Sequence, residues 1–299
     1  MNEARPGIWR RLRRRRSAMA AGGLLAILAL SCFATLPWTA GRMRTADLDS
    51  IRLAPSAAHW LGTDELGREL LARLLFGGSV SLGLGLLAAT VAVCIGTAYG
   101  AISGYLGGRV DALLMRIVDV LYAMPSVLLV MLLTVSLGQQ LKRMAGMSEE
   151  QSRLAVLALA IGSVSWLTIA RVVRGQVLSL RERPFIEAAR ALGVPTRRIL
   201  RRHILPNVAG PIAVFATLTV PQAILQESFL SFLGVGIQPP QATWGSLAAD
   251  GVRLLNPIEF DWWLLVFPCT ALALTLLALN VVGDGLRDAL DVRSESAET

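Results

Sequence analysis

Long apolar runs alternate with short charged segments along the whole chain, and the gaps between charges set the elements. A helix needs roughly 20 apolar residues to cross about 30 Å of hydrocarbon. Six stretches reach or approach that length: residues 18–38, 79–103, 118–137, 154–170, 207–233 and 262–283. The intervals 17–41 and 74–108 contain no charged residue at all. The third run carries Asp119 at its mouth and Pro125 inside it, and the fourth is uncharged but near the lower length limit. Pro211 and Pro221 in the fifth run and Pro268 in the sixth predict kinks, either for packing or for movement. The pattern predicts an all-α, polytopic membrane protein with six transmembrane helices and both termini on one side.

Composition agrees and charge orients the chain. Of 299 residues, 54% are hydrophobic and only 17% charged, with mean hydropathy +0.56, far from the balance of a soluble domain. The formal charge of +8 takes its meaning from where the cations lie, because cytoplasmic loops collect Lys and Arg. With the N-terminus inside, the inner segments hold 20 of the 29 Lys and Arg, whereas the first outer segment balances five arginines with five acids. Both termini are therefore expected on the cytoplasmic side. The basic run "RRLRRRR" ahead of the first apolar stretch is the start of a signal peptide or of a retained helix, and without a small-residue cleavage site it is read as the latter. The predicted order is a basic tail (1–17), a first transmembrane helix (18–38), an extracytoplasmic loop with an amphipathic helix (39–78), a five-helix core (79–283) and a cytoplasmic tail (284–299).

Cys32, Cys94 and Cys269 each fall in an apolar run without a short spacing, and His59 and His203 lie far apart, so neither a disulfide framework nor a metal site is predicted. Lys142 is the only lysine and sits in "QLKRM", which excludes a phosphate-binding G-x-x-x-x-G-K-S/T loop in this chain. No nucleotide cofactor is expected to bind here.

Residues 171–207 break the apolar rule. The nine arginines between residues 171 and 202 would cost on the order of 20 to 30 kcal/mol at a bilayer centre, so this segment is expected to be a cytoplasmic loop. Its grammar predicts two short helices. "PFIEAARAL" has Pro184 at a helix start and Gly193, followed by Pro195, as a left-handed stop. Ala188 and Ala189 predict a flat face that lets another backbone approach. Thr196 is expected to cap "RRILRRHI", in which Ile199, Leu200, His203 and Ile204 form a stripe opposite Arg197, Arg198, Arg201 and Arg202, with Pro206 closing the helix. Three readings stand at this point: a basic loop that enforces topology, a DNA-reading helix-turn-helix, and a docking element. A DNA reader needs a soluble core and a tether, whereas this segment is bracketed tightly by apolar runs.

The run Glu187-Ala188-Ala189, then Gly193, then Leu205-Pro206, resembles the "EAA" loop of ABC importer permeases. His203 stands where the general pattern has an aliphatic residue, while "RHILPN" is similar to the peptide-importer branch. "HWLGTDELGRELLARLLFGGSVSLGLG" (59–85), "ESFLSFLGVGIQPPQATWGSLAADG" (227–251) and "GDGLRDALDVR" (283–293) are similar to segments of the C-type subunit of dipeptide and oligopeptide importers. The resemblance runs from about residue 15 to 293.

It implies a type I ABC importer permease fold. It also implies a second permease as heterodimer partner, two ATPase subunits that use ATP and Mg, an extracytoplasmic substrate-binding protein, and no nucleic acid. Glu187, Ala188, Ala189, Gly193, Leu205 and Pro206 would form the ATPase-coupling loop. Glu227, about 30 Å along the fifth helix from Asn207, is expected at the outer mouth as a possible gate. Thr63 is expected to cap an amphipathic helix carrying Leu70, Leu71, Leu74 and Leu75, which with the loop 234–261 would meet the binding protein or plug the outer end of the bundle. Peptides are the expected cargo, with nickel, glutathione or another small solute as alternatives within the family, and a stand-alone secondary transporter as the alternative outside it.

Overall fold

The computed structural model describes residues 15–255 and 261–290. Expectations placed on residues 1–14, 256–260 and 291–299 lie outside these. Five helices are long and apolar enough to cross a membrane, and a bent helix pair meets the same test when its two parts are taken together, which makes up to six spans among the described residues.

Helix α1 (Arg16–Ala34) is followed by the short α2 (Leu36–Arg42), with Pro37 in the first turn of the second. The first predicted run therefore holds a break near its end. Helix α3 (Leu70–Leu106) has 37 residues, about 55 Å at 1.5 Å per residue, and so overshoots the hydrocarbon. The amphipathic surface helix expected before it does not form. Thr63 donates its hydroxyl to the Ser50 carbonyl and accepts from the Leu53 amide, so it staples a loop instead of capping a helix. Leu70, Leu71, Leu74 and Leu75 belong to α3 itself.

The third run is two helices, α4 (Gly108–Ala123) and α5 (Ser126–Ala145), bent by 94°. Pro125 lies at the break, not inside a helix. It disfavours helical backbone at the preceding residue, and Met124 is extended. Helix α6 (Glu149–Arg181) starts with a Ser148–Gln151 capping box and runs eleven residues beyond the predicted fourth span. The short α7 (Pro184–Ala191) and α8 (Thr196–Ile199) follow. A π-helical turn (Leu200–Ile204) then leads into α9 (Leu205–Phe232), α10 (Trp244–Arg253) and α11 (Trp262–Leu290).

The broadest interhelical contact is α3 on α6. Small residues make it possible, since lipid supplies no hydrophobic drive between helices and close van der Waals packing must do so. Gly96, Gly100 and Gly104 form one stripe on α3. A Cβ on Gly100 would stand 2.4 Å from the Ala170 carbonyl oxygen, and one on Gly104 would stand 2.8 Å from that of Arg174. Gly162 answers from α6 against the Ala88 carbonyl. One apolar core joins Ala92, Tyr105, Ile169 and Val173 to Ile186, Ala189, Ile199 and Ile204, and a second joins Leu84 and Ala88 to Ile161 and Ala223.

Helix α10 lies in the segment expected as an exposed loop, yet Trp244, Ser246, Leu247 and Ala249 are buried against α3, α9 and α11. It plugs that end of the bundle.

Candidate functional site

The arginines that looked too costly to bury are carried by α6 beyond its apolar part, and this extension is tied down by partners on α3 and α4. The Arg174 guanidinium donates to both Asp111 carboxylate oxygens at 2.5 and 2.6 Å, and Ser103 donates to the same carboxylate. Arg171 pairs with Asp119 at 2.7 Å and lies over the Tyr122 ring. Arg181 reaches the Gly104 carbonyl at 3.3 Å. Residues 171–181 are thus helix, not loop, because paired guanidinium groups and the α3 packing continue the element past the apolar run.

Helix α7 is amphipathic in an unusual sense, being apolar on two faces. Ile186 and Ala189 are buried in the core shared with α3 and α6. Phe185, Ala188 and Leu192 follow at i, i+3 and i+7 and face out, with Leu192 83% exposed. The flat face expected from the alanine pair is therefore split: Ala189 packs inward on its own chain, and Ala188 alone is offered to a partner. The reason is helical period, since adjacent residues lie about 100° apart. Glu187 is exposed and makes no ion pair with Arg183 or Arg190. Arg190 instead stacks 4.7 Å over the Tyr105 ring and donates to its hydroxyl at 3.3 Å.

Gly193 ends the helix at φ +72°, a conformation strained for any residue with a Cβ. Its amide donates to the Arg190 carbonyl and the Val194 amide to that of Ala189, the paired bonds of a Schellman stop. Nothing lies within 4 Å of a Cβ built there, so the glycine is required by backbone conformation rather than by crowding.

Thr196 does not cap the next helix. Pro195 takes the extended position before it, and Thr196 is already helical, so its hydroxyl cannot reach back. Ile199 and Ile204 are buried while Arg197, Arg198, Arg201 and Arg202 are exposed, the two-sided pattern expected. Pro206 does not close this helix. The π turn, with the Leu205 amide bonded to the Leu200 carbonyl, absorbs the missing proline donor and lets the chain run on into α9. Leu205 is half-buried against the core and Pro206 is exposed.

Glu227 lies at the far end of α9, some 33 Å from Leu205 by helical rise. It is wholly buried and not an open mouth. One carboxylate oxygen accepts from Ser231 at 2.7 Å and Thr243 at 2.8 Å, while Thr243 also forms the capping box of α10. The other oxygen has no hydrogen-bond partner among the described residues. Trp244 of α10 donates its ring N–H to the Leu74 carbonyl and its amide to Ser81, so Glu227 belongs to a joint among α3, α9 and α10. Beside it, Asp64 accepts from Arg68 at 2.7 Å and Arg73 at 2.5 Å, all three side chains buried. Burial pushes the nearby Asp250 carboxyl up from its usual range, against the pull of Arg73 and Arg253.

Phe185, Leu192, Arg190 and Tyr105 were not singled out by sequence. The i, i+3, i+7 spacing of Phe185, Ala188 and Leu192 carried a readable signal; the Arg190–Tyr105 contact, 85 residues apart, carried none.

Residues 96–296 match the family described as the binding-protein-dependent transport system inner membrane component, and residues 7–55 match the N-terminal transmembrane domain of oligopeptide transport permease C. The chain is 43% identical to the dipeptide transport system permease protein DppC of Bacillus subtilis, covering 95% of this chain and 84% of that protein. It is likewise 43% identical to the oligopeptide transport system permease protein OppC of Escherichia coli K12, over 95% of this chain and 91% of that one. Among solved structures, the MetNI methionine ABC transporter in an inward-facing conformation is similar with TM-score 0.54 and 20% identity, covering 74% of this chain and 98% of the other.

Proposed function

The chain belongs to the binding-protein-dependent inner-membrane permeases of ABC importers, in the oligopeptide permease C group, and on that premise we propose that it carries di- or oligopeptides inward. In this reading it forms one half of a translocation path with a second, related permease. Two ATPase subunits hydrolyse ATP with Mg, and a binding protein delivers cargo from outside. The relatives' names, dipeptide and oligopeptide transport permeases, support peptide cargo over nickel or glutathione. The concentration of arginine in residues 171–202 supports a cytoplasmic α7 and cytoplasmic termini.

The observation that carries the coupling role is the outward face of α7. Exposed Phe185, Ala188 and Leu192 present an apolar knob on a helix whose other face is locked into the core. A rigid helix seated in an ATPase groove moves with it, and such closure rocks the attached helices between two packings. Glu187, without an ion-pair partner among the described residues, is assigned to a cation on the ATPase; Gly193, Leu205 and Pro206 fix how α7 leaves the bundle.

The test is co-purification from native membranes in mild detergent, beside uptake in vesicles. The Ala188 side chain points away from the core, so Ala188→Trp is tolerated by the free chain but obstructs docking. The second permease is expected to remain with the variant, the ATPase subunits to be lost, and uptake to fall roughly tenfold or more, as for a disrupted interface hot spot. An Ala188→Trp complex that keeps its ATPases and its uptake would remove α7 from the coupling role.

A further inference from the structure

At the α7 end of the bundle a cleft of about 530 Å³ opens between α6, α9 and α11. Its wall carries Gln176, Ser179 and Arg183 from the end of α6 and the turn after it, Asn207 from α9 and Arg287 from α11, with Phe215 in the apolar floor. Among the described residues, no carboxylate lines it. Arg183 and Arg287 come from segments about 100 residues apart, and neither guanidinium has an ion-pair partner among the described residues. Asp288, next to Arg287 in sequence, is taken by Arg15 at 2.5 Å. The other large cleft, about 500 Å³ beside α5 and α6, differs in this respect, since its Arg153 is paired with Glu149 at 2.8 Å. Arg197, Arg198, Arg201 and Arg202 also lack an ion-pair partner among the described residues, but they are exposed on the outer side of their segment.

Two cations with no ion-pair partner among the described residues, set in a concave wall, suit an anionic ligand, because guanidinium groups bind carboxylates through charge-assisted hydrogen bonds. The neutral polar groups narrow its chemistry. The Asn207 amide nitrogen already donates to the His203 carbonyl at 2.6 Å, which leaves its oxygen to accept a ligand N–H. Gln176 and Ser179 add donors and acceptors suited to amide groups. Polar surface predominates in the wall, which fits a peptide main chain better than lipid acyl chains, and the volume is in the range of small-ligand sites.

We propose that this cleft is an exit vestibule that holds the C-terminal carboxylate of a transported peptide between Arg183 and Arg287 before release. The proposal rests on the peptide-importer reading and on the cytoplasmic placement of α7. The carboxylate end is read through the two guanidinium groups, and no acid among the described residues lines the cleft to read the amino end. A peptide with a blocked C-terminus would leave the vestibule faster and bind it more weakly.

The probe is radiolabelled tetraalanine, compared with its C-terminal amide. Binding is measured to the whole purified transporter in nanodiscs of zwitterionic lipid, without nucleotide or binding protein. Wild type should bind the free acid roughly tenfold more tightly than the amide, the scale of one good charged hydrogen bond. Arg183→Gln with Arg287→Gln should bring that ratio to about one, and Arg287→Lys should restore part of it. Continued co-purification of the ATPase subunits checks that the variants are folded. Equal binding of acid and amide by wild type would overturn the proposal, as would a preference that survives in the double variant. So would the finding that the substitutions only release anionic phospholipid carried through purification, which would make the cleft a lipid headgroup site. ATP-driven uptake of tetraalanine with the binding protein present is measured in parallel. Absent uptake sinks the peptide reading and the vestibule with it, whereas normal uptake beside indifferent binding sinks the vestibule alone.

Discussion

Asp64 accepts hydrogen bonds from the Arg68 and Arg73 side chains and from the Leu66 and Arg68 amides, with the Asp64, Arg68 and Arg73 side chains all buried. Removing one partner from such a group leaves uncompensated charge in a dry place. Asp64→Ala is therefore expected to destabilise the folded chain by about 3 to 5 kcal/mol, read as a large drop in thermal unfolding temperature in detergent. A shift no larger than that of an exposed control such as Asp49→Ala would refute the account. The amphipathic helix expected over this stretch did not reveal the cluster, because nothing local says that the loop folds Asp64 onto both arginines. Gly193 was readable for the opposite reason: its φ is fixed by a stop signal of adjacent residues, glycine followed by proline. Ala189 was half readable, as part of a motif, while its inward direction needed the helix to be docked.

At the scale of the element, the α3–α6 pair rests on backbones brought close at glycine. Gly100→Ala would place a methyl carbon 2.4 Å from a carbonyl oxygen, so the two helices would have to separate. Gly83, on the same helix, has nothing within 4 Å of its Cβ position. The expected outcome is a contrast: Gly100→Ala lowers the unfolding temperature, and Gly83→Ala leaves it unchanged or raises it, since alanine gains about 1 kcal/mol over glycine in a helix. Equal effects at the two sites would mean that crowding does not set this interface. The apolar runs located the five spanning helices and the bent pair, because hydrocarbon thickness sets a common minimum length for an apolar run. Their ends were less legible. Helix α6 continues through Arg171, Arg174 and Arg181 because Asp119, Asp111 and the Gly104 carbonyl receive them, and a charge count along the chain cannot see those partners. The 94° bend at Pro125 was signalled by the proline, though its size depends on how α4 and α5 pack on α6.

For the whole molecule, the arrangement matters because α7 is joined to the longest helix. Arg190 links α7 to Tyr105 near the end of α3, and Ile186 and Ala189 lie in the same core as Tyr105. A displacement of α7 is in this way imposed on α3, and through the glycine stripe on α6. Tyr105→Leu keeps apolar volume but removes the stacked ring and the hydroxyl. It is expected to loosen coupling: ATP hydrolysis by the assembled transporter continues, while peptide taken up per ATP falls several-fold. Loss of both in proportion would point instead to failed assembly, and an unchanged ratio would show that the contact transmits nothing. At the opposite end, Glu227 joins α9 to α10 through Thr243, so the expected gate is a buried joint that fixes the plug against the bundle.

The sequence by itself determined that the chain is an all-α membrane protein with five to six apolar spans, that residues 171–207 are a basic segment of special grammar, and which family it resembles. These follow from hydrocarbon thickness, from the cost of bare charge in lipid and from local turn chemistry, all of which act over about 20 neighbouring residues. Only the tertiary structure decided that Ala188 faces out and Ala189 in, that Thr63 staples a loop, that Glu227 is buried, and that Arg183 meets Arg287 across a cleft. Each of these depends on groups distant in sequence, and the direction of a side chain is settled only when the surface it packs on exists.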